Sequence, residues 1–408
     1  MAMRIQSVEA LPVRLARSGE RERGTAGSPT FLAAAPSDYR WSAVFPALYS
    51  IHFETALVKV TTDAGLTGWG EAQAPLAPEV ACTIVDLLLG PLLLGCEFGG
   101  DTKEIERIWE LMYSTMRVRG QTGGFMLDAI SGIDLALWDL AGKIQGRSVC
   151  DLIAGAKAKR LVPAYLSGVA GASIEDRVAT ARQWWKKGFR HFKLFHNAGE
   201  RELLETMDAL RSGLTGEAKI AVDALWRLRA DTAVILGRAL DNRSALWLEA
   251  PLPPEDWLAH AELAAKTSTP LAVGESYRTV HEILPFLREA AASVIQPDLG
   301  RSGITEGLRI AELAARYSVP VVPHVSIALG PQIAAAIHYA AACDNCDLAE
   351  YNPHVLEMAN RFLVEPLRLD GAAYRVPTAP GLGVEVLEKK LRAELLPSGR
   401  RLTQTERG

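Results

Sequence analysis

The sequence predicts an α/β protein built on a parallel (β/α) barrel of TIM type, preceded by a small α+β unit and followed by a mixed tail. Three observations carry this reading. Short apolar runs of strand type alternate with helical stretches from Val162 to Glu350, the pattern of βαβ units in a parallel sheet. Six ionisable residues, Asp223, Glu249, Glu275, Asp298, His324 and Glu350, end successive runs at steps of 26, 26, 23, 26 and 26 residues, roughly the length of one strand, loop and helix. The 408 residues are too many for one ordinary domain and suit a barrel with one smaller companion.

The N-terminal unit reads first. Residues 4–13 alternate as a strand, and residues 54–62 and 65–71 form two more around the hairpin turn Thr62-Asp-Ala-Gly65. Between the first and second strands, residues 16–51 form a long insertion rich in Arg, Ser, Gly, Pro and aromatics, expected as a surface loop or lid. Helices are expected over 78–89 and 102–113. From Met126 the pattern becomes strongly helical, with Ile130, Ile133, Leu137, Leu140 and Ile144 spaced 3, 4, 3, 4 and Gly146 marking the end. Eight strands and their helices follow, the helices at 173–187, 200–210, 230–240, 257–266, 280–291, 304–317 and 331–341. The domain reading is 1–125 for the α+β unit, 126–355 for the barrel and 356–408 for a C-terminal segment packing back on the first, its last ten or so residues unstructured.

Composition narrows the function. With 49% hydrophobic residues a sizeable core can form, and 44 basic against 48 acidic residues give a net charge of −4 with no long single-sign run. That balance excludes nucleic acid and anionic membranes as the implied partners. Glu9 interrupts the apolar core a signal peptide would need, and the apolar residues 87–94 are too few to span a membrane. A soluble cytoplasmic protein is expected. Five scattered cysteines make no disulfide framework, and Cys343 and Cys346 form a lone C-x-x-C read as buried thiols.

The strand ends carry the chemistry. Asp223, Glu249 and Glu275 close three successive runs, Lys219-Ile-Ala-Val-Asp223, Leu246-Trp-Leu-Glu249 and Leu271-Ala-Val-Gly-Glu275, so their carboxylates converge and require a cation between them. Oxygen-only ligands favour Mg²⁺. Asp298 and His324 end the next two runs, where the carboxylate can hold one imidazole nitrogen and leave the other facing the barrel centre as a base. A base beside a divalent cation suits proton abstraction next to a carboxylate, the cation stabilising the resulting enediolate.

These residues sit within longer motifs. Thr61-Thr-Asp-Ala-Gly-Leu-Thr-Gly-Trp-Gly-Glu71, Ala129-Ile-Ser-Gly-Ile-Asp-Leu-Ala-Leu-Trp-Asp-Leu-Ala-Gly-Lys143, Ile295-Gln-Pro-Asp-Leu-Gly-Arg-Ser-Gly-Ile-Thr-Glu306 and Val321-Val-Pro-His324 resemble the enolase superfamily, in particular its mandelate racemase subgroup and the galactonate-type acid-sugar dehydratases. The resemblance implies a modified (β/α)7β barrel with an N-terminal capping domain completed by the C-terminal segment. It maps Asp223, Glu249 and Glu275 onto Mg²⁺ ligands, His324 and Asp298 onto the base dyad, and Glu350 onto a carboxylate that helps bind the substrate. Lys193 matches the first lysine of the racemases' Lys-x-Lys, and Phe195 stands where the second base would be. Leu225 replaces a histidine acid of galactonate-type dehydratases. His196 is a candidate acid, although strand alternation points it away from the lumen. The resemblance implies a small sugar-acid substrate and a homo-oligomer, from dimer to octamer. A dehydratase giving a 2-keto-3-deoxy acid leads; a racemase, epimerase or cycloisomerase, or a metal-binding barrel without catalysis, are the alternatives.

Overall fold

The computed structural model describes residues 3–17, 38–42, 47–197, 199–215 and 217–397. Near the N-terminus Thr67–Ala72, Phe53–Thr62, Met3–Leu15 and Glu97–Phe98 form one antiparallel sheet in that order. The expected turn joins the first two of these, the Gly65 N–H donating to Thr62 O at 2.9 Å. The helix Thr102–Arg117 starts where Asp101 and Glu104 cap it reciprocally.

The sheet lies on the helix Gly124–Gln145, which is buried without interruption from Met126 to Gly142. A helix apolar on all sides needs cover on all sides; this one has the sheet on one flank and the helices Thr102–Arg117 and Leu299–Arg316 on others. Contact with the sheet is at backbone distance. A Cβ added to Gly70 would lie 2.0 Å from Gly132 O, so only glycine allows the approach.

Eight staves form the barrel. Leu161–Ser167, His191–Phe195, Lys219–Asp223, Leu248–Glu249, Leu271–Val273 and Val294–Ile295 run parallel in sequence order, and Ala349–Tyr351 pairs back to the first. Helices Ile174–Lys186, Glu200–Gly213, Ala230–Asp241, Trp257–Ala264, Val280–Arg288, Leu299–Arg316 and Pro331–Ala342 follow the first seven staves. The seventh stave departs from the expectation of eight full strands. It is tied to its neighbour by isolated bridges, Ile295 with Val321 and Asp298 with His324, and reaches the far side through Val321 N–H to Asn345 O at 2.9 Å. Pro320 and Pro323 remove two ladder donors there, so the barrel is not closed by continuous strand pairing.

One other expectation changes. Residues 16–51 contain an antiparallel ribbon, Tyr39–Ser42 with Ala47–Ser50, whose Tyr39 hydroxyl meets Glu54 at 3.1 Å; residues 18–37 and 43–46 of that insertion lie outside the described residues. The sixth barrel helix runs with regular backbone from Ile304, as expected; ahead of it residues 299–302 form a separate helical turn, capped by Asp298 accepting from Gly300 N–H at 2.9 Å and set off by Gly303 at φ 72°. The C-terminal segment returns to both units. Ala373–Arg375 pairs with the first stave, and Phe362 and Leu391 join Val13, Phe53, Leu57 and Trp69 in one buried cluster. The tail expected to be unstructured, from residue 398, lies outside the described residues. Cys343 and Cys346 are buried free thiols, and among the described residues no helix is long and apolar enough to cross a membrane.

Because the added methyl would collide with backbone, Gly70→Ala is expected to cost about 3 kcal/mol of stability. Urea unfolding of the variant beside the parent measures this.

Candidate active site

Strand alternation stacks the lumen in two layers. Tyr165, Ala221, Trp247, Ala272, Val294, Val322 and Leu348 form an apolar cluster in the lumen. Two residues further along their chains stand Ser167, Asp223, Glu249, Gln296, His324 and Glu350, a polar layer at the C-terminal end. Asp223, Glu249, Asp298, Glu350 and Lys193 are all buried, with Glu275 partly exposed toward the mouth.

Lys193 is the hub. Its ammonium donates to Glu249 Oε1 at 2.6 Å and to Glu350 Oε1 at 2.9 Å, and lies 3.6 Å from Asp223 Oδ2. Burial alone would lower its pKa, but the charges of Glu249 and Glu350 outweigh that and hold it well above the ordinary lysine value. Asp223 moves up strongly, because burial and the Glu249 charge exceed what the more distant Lys193 returns. Glu249 also accepts from Trp247 Nε1 and Gln296 Nε2, both at 2.9 Å. Alternation would have found these two donors, each two residues before a strand-end carboxylate.

His324 and Asp298 are brought into contact. His324 Nδ1 lies 2.8 Å from Asp298 Oδ2, and Nε2 faces the mouth, 2.9 Å from Glu275 Oε2. Burial lowers the imidazole pKa, yet Glu275 and Glu350 raise it well above the usual histidine value. Glu275 is raised by burial and brought down further by the imidazolium, to about 2. Trp226 Nε1 donates to the other oxygen of Glu275. Trp226 and Leu225 both have φ of 57°, a left-handed pair that bulky residues adopt only under constraint, and no sequence signal marked them.

The remaining candidates separate from this cluster. His196 has Arg227 as its neighbour, which donates to its Nδ1 and to its carbonyl oxygen. Burial and Arg227 lower its pKa. Among the described residues no strand-end carboxylate contacts its ring, in keeping with the alternation. Phe195 takes the lumen position above Lys193, its ring centre 5.5 Å from the ammonium.

Asp223, Glu249 and Glu275 fit Mg²⁺ in chemistry more than in present orientation. All three offer oxygen only, and Asp223 and Glu249 are direct register partners. Among the described residues no three acidic, His or Cys side chains surround a common ion position, since Glu249 turns to Lys193 and Glu275 to His324. The cluster still holds five carboxylates against two cations, Lys193 and His324, and that excess negative charge suits a hard dication.

Residues 45–154 match the mandelate racemase / muconate lactonizing enzyme N-terminal domain, and residues 176–390 match the enolase C-terminal domain-like family. The chain belongs to the enolase superfamily. A D-galactarolactone cycloisomerase from Agrobacterium fabrum is 33% identical over 81% of this chain and 88% of its own length. A D-galactonate dehydratase from Ralstonia pickettii is 31% identical over 81% of this chain and 88% of its own. The crystal structure of an enolase superfamily member from Agrobacterium tumefaciens superposes with a TM-score of 0.89 at 29% identity, covering 96% of this chain and 99% of that one. These superfamily relatives carry both lyase and isomerase names, and the chain is an enzyme of that kind.

Replacing Lys193 with Met leaves Glu249 and Glu350 buried without their counter-charge. Lys193→Met is expected to lower the unfolding free energy by about 3–5 kcal/mol, read by urea denaturation in the presence of EDTA.

Proposed function

We propose that the protein removes the α-proton of a sugar acid with His324 as base and then eliminates the β-hydroxyl, giving a 2-keto-3-deoxy acid. The observation that carries this reading is the pairing of His324 with Asp298 at 2.8 Å, together with Phe195 at the end of the stave that carries Lys193. Asp298 fixes the ring so that Nε2 is the nitrogen presented to substrate. Phenylalanine neither takes nor gives a proton, so the reaction runs from one face. The C–H electron pair forms the new double bond, the β C–O bond breaks, and the proton taken by Nε2 leaves with the hydroxyl as water. The enol then ketonises.

Asp223, Glu249 and Glu275 would hold Mg²⁺, which when bound supplies positive charge to the substrate carboxylate as it gains enediolate character. Glu275 and the substrate's α-carbon compete for the same nitrogen, because Glu275 Oε2 sits 2.9 Å from His324 Nε2. Recruiting Glu275 as a ligand would release the base. Lys193 and Glu350 are assigned to the substrate carboxylate, Lys193 through its ammonium. His196, turned toward Arg227, is set aside as the acid in favour of His324 itself.

A second reading has its own support. The cycloisomerase relative is the more similar of the two named enzymes, and a one-base site also suits opening or closing a lactone ring. The experiment is a panel of mono- and diacid sugars and their lactones, incubated with Mg²⁺ or with EDTA in deuterated buffer. Mg²⁺-dependent 2-keto acid is the expected product. Ring opening without a keto acid transfers the assignment to cycloisomerase, and deuterium uptake without elimination transfers it to a racemase or epimerase. On the active substrate His324→Asn is expected to lower kcat about 10³-fold, the scale of a lost general base.

A further inference from the structure

Behind the dyad lies a buried amide that the roles above do not use. Gln332 is fully buried and is the second residue of the helix Pro331–Ala342. Its Nε2 donates to Asp298 Oδ1 at 2.8 Å, the carboxylate whose other oxygen meets His324 Nδ1 at 2.8 Å. Gly300 N–H donates to the same Oδ1 at 2.9 Å. With both oxygens engaged, the Asp298 carboxylate has no free rotation about its last bond.

The amide does this at a cost. An ionised carboxylate only accepts, so Gln332 must present its N–H₂ to Asp298 and turn its carbonyl oxygen away. That Oε1 is buried without a hydrogen-bond partner. It presses on Gly300, where an added Cβ would lie 2.4 Å from it. An orphaned buried acceptor costs about 1–3 kcal/mol, which an apolar side chain of the same size avoids. A polar group kept under those terms asks for a functional reason.

The main chain of Gln332 is held from the side of the antiparallel sheet. Gln332 N–H donates to Glu71 Oε2 at 3.2 Å, and Leu329 N–H donates to Glu71 Oε1 at 2.7 Å. Thr55 Oγ1 donates to the same carboxylate at 2.9 Å. Glu71 is buried within the strand Thr67–Ala72 of the antiparallel sheet. One chain of contacts therefore runs from that sheet through Gln332 and Asp298 to the imidazole.

We propose that Gln332 is a positioning residue of the Asp298–His324 pair, anchored by Glu71, so that the capping sheet sets the orientation of the base. This rests on the reading of His324 as the base. Gln332→Met keeps the volume and removes the donor. With the acid sugar found active in the panel and Mg²⁺, kcat is expected to fall about ten- to a hundredfold while KM and the melting temperature stay near the parent's. Nitrogen NMR of the histidine rings, which needs no substrate and is recorded at a pH high enough to deprotonate the imidazolium, should show neutral His324 in one tautomer in the parent and in two in the variant. A variant with parental kcat and one tautomer overturns the proposal.

If Gln332→Met fails to fold, the parent still decides. One Gln332 side-chain amide proton should exchange slowly with solvent, and fast exchange of both overturns the assignment. His324→Asn separates the two readings. Full turnover in that variant removes the base and the proposal together. Lost turnover there with unchanged turnover in Gln332→Met removes only the role of Gln332.

Discussion

Like charges gathered in one small volume govern this site. Neighbouring strands lie about 4.8 Å apart, so carboxylates at the ends of adjacent staves are forced together. At such a distance each pair of unit charges repels by about 4 kcal/mol where the effective dielectric is near 20. Lys193 and His324 offset part of this, and neutral donors hold much of what remains. Trp247 and Gln296 serve Glu249, Val325 N–H serves Glu350 at 2.9 Å, and Gln332 and Gly300 serve Asp298. The acidic layer is ordered because almost every oxygen in it has an assigned donor.

The apolar layer gives that order its force. Tyr165 and Trp247 meet edge to face, their ring centres 5.4 Å apart, and fill the lumen around the charges. Buried as they are, these rings lower the local dielectric in which the hydrogen bonds of the polar layer act. The antiparallel sheet meets the barrel through buried carboxylates too. Asp139 of the helix Gly124–Gln145 accepts from Trp69 N–H of the sheet and from Leu382 N–H, and Glu71 of the sheet reaches Leu329 and Gln332. The two units therefore share these fixed polar partners as well as the buried apolar cluster around Phe53, Trp69 and Leu329.

Much of the architecture was legible because the barrel repeats. The near-constant step of 26 residues, shortened once to 23 between Glu275 and Asp298, located six stave ends. The alternation rule correctly turned His196 away from the carboxylates. Beyond the Asp298–His324 contact, side-chain pairing was not legible. Nothing in Lys193-Leu194-Phe195 says that the ammonium lies among three carboxylates, and the left-handed backbone at Leu225 and Trp226 leaves no trace in composition. Gln332, just after a helix-starting proline, reads as an ordinary surface position; only the fold reveals Asp298 beside it. Pro320 and Pro323 were in plain view, and their missing N–H groups already argued against a full seventh strand. The catalytic and ligand roles remain a chemical assignment built on this geometry.

The stave that carries His324 is joined to one neighbour by two isolated bridges and to the other through Val321 N–H to Asn345 O, so residues 319–330 are where the barrel can change shape with the least loss of sheet hydrogen bonding. Elsewhere a shifted residue drags a ladder with it. Here the imidazole could be re-aimed by altering one loosely sewn segment while the acidic staves kept their register. For protein engineering this marks a natural target for a focused library: a scaffold whose reacting nitrogen is adjustable and whose charge-bearing frame is not.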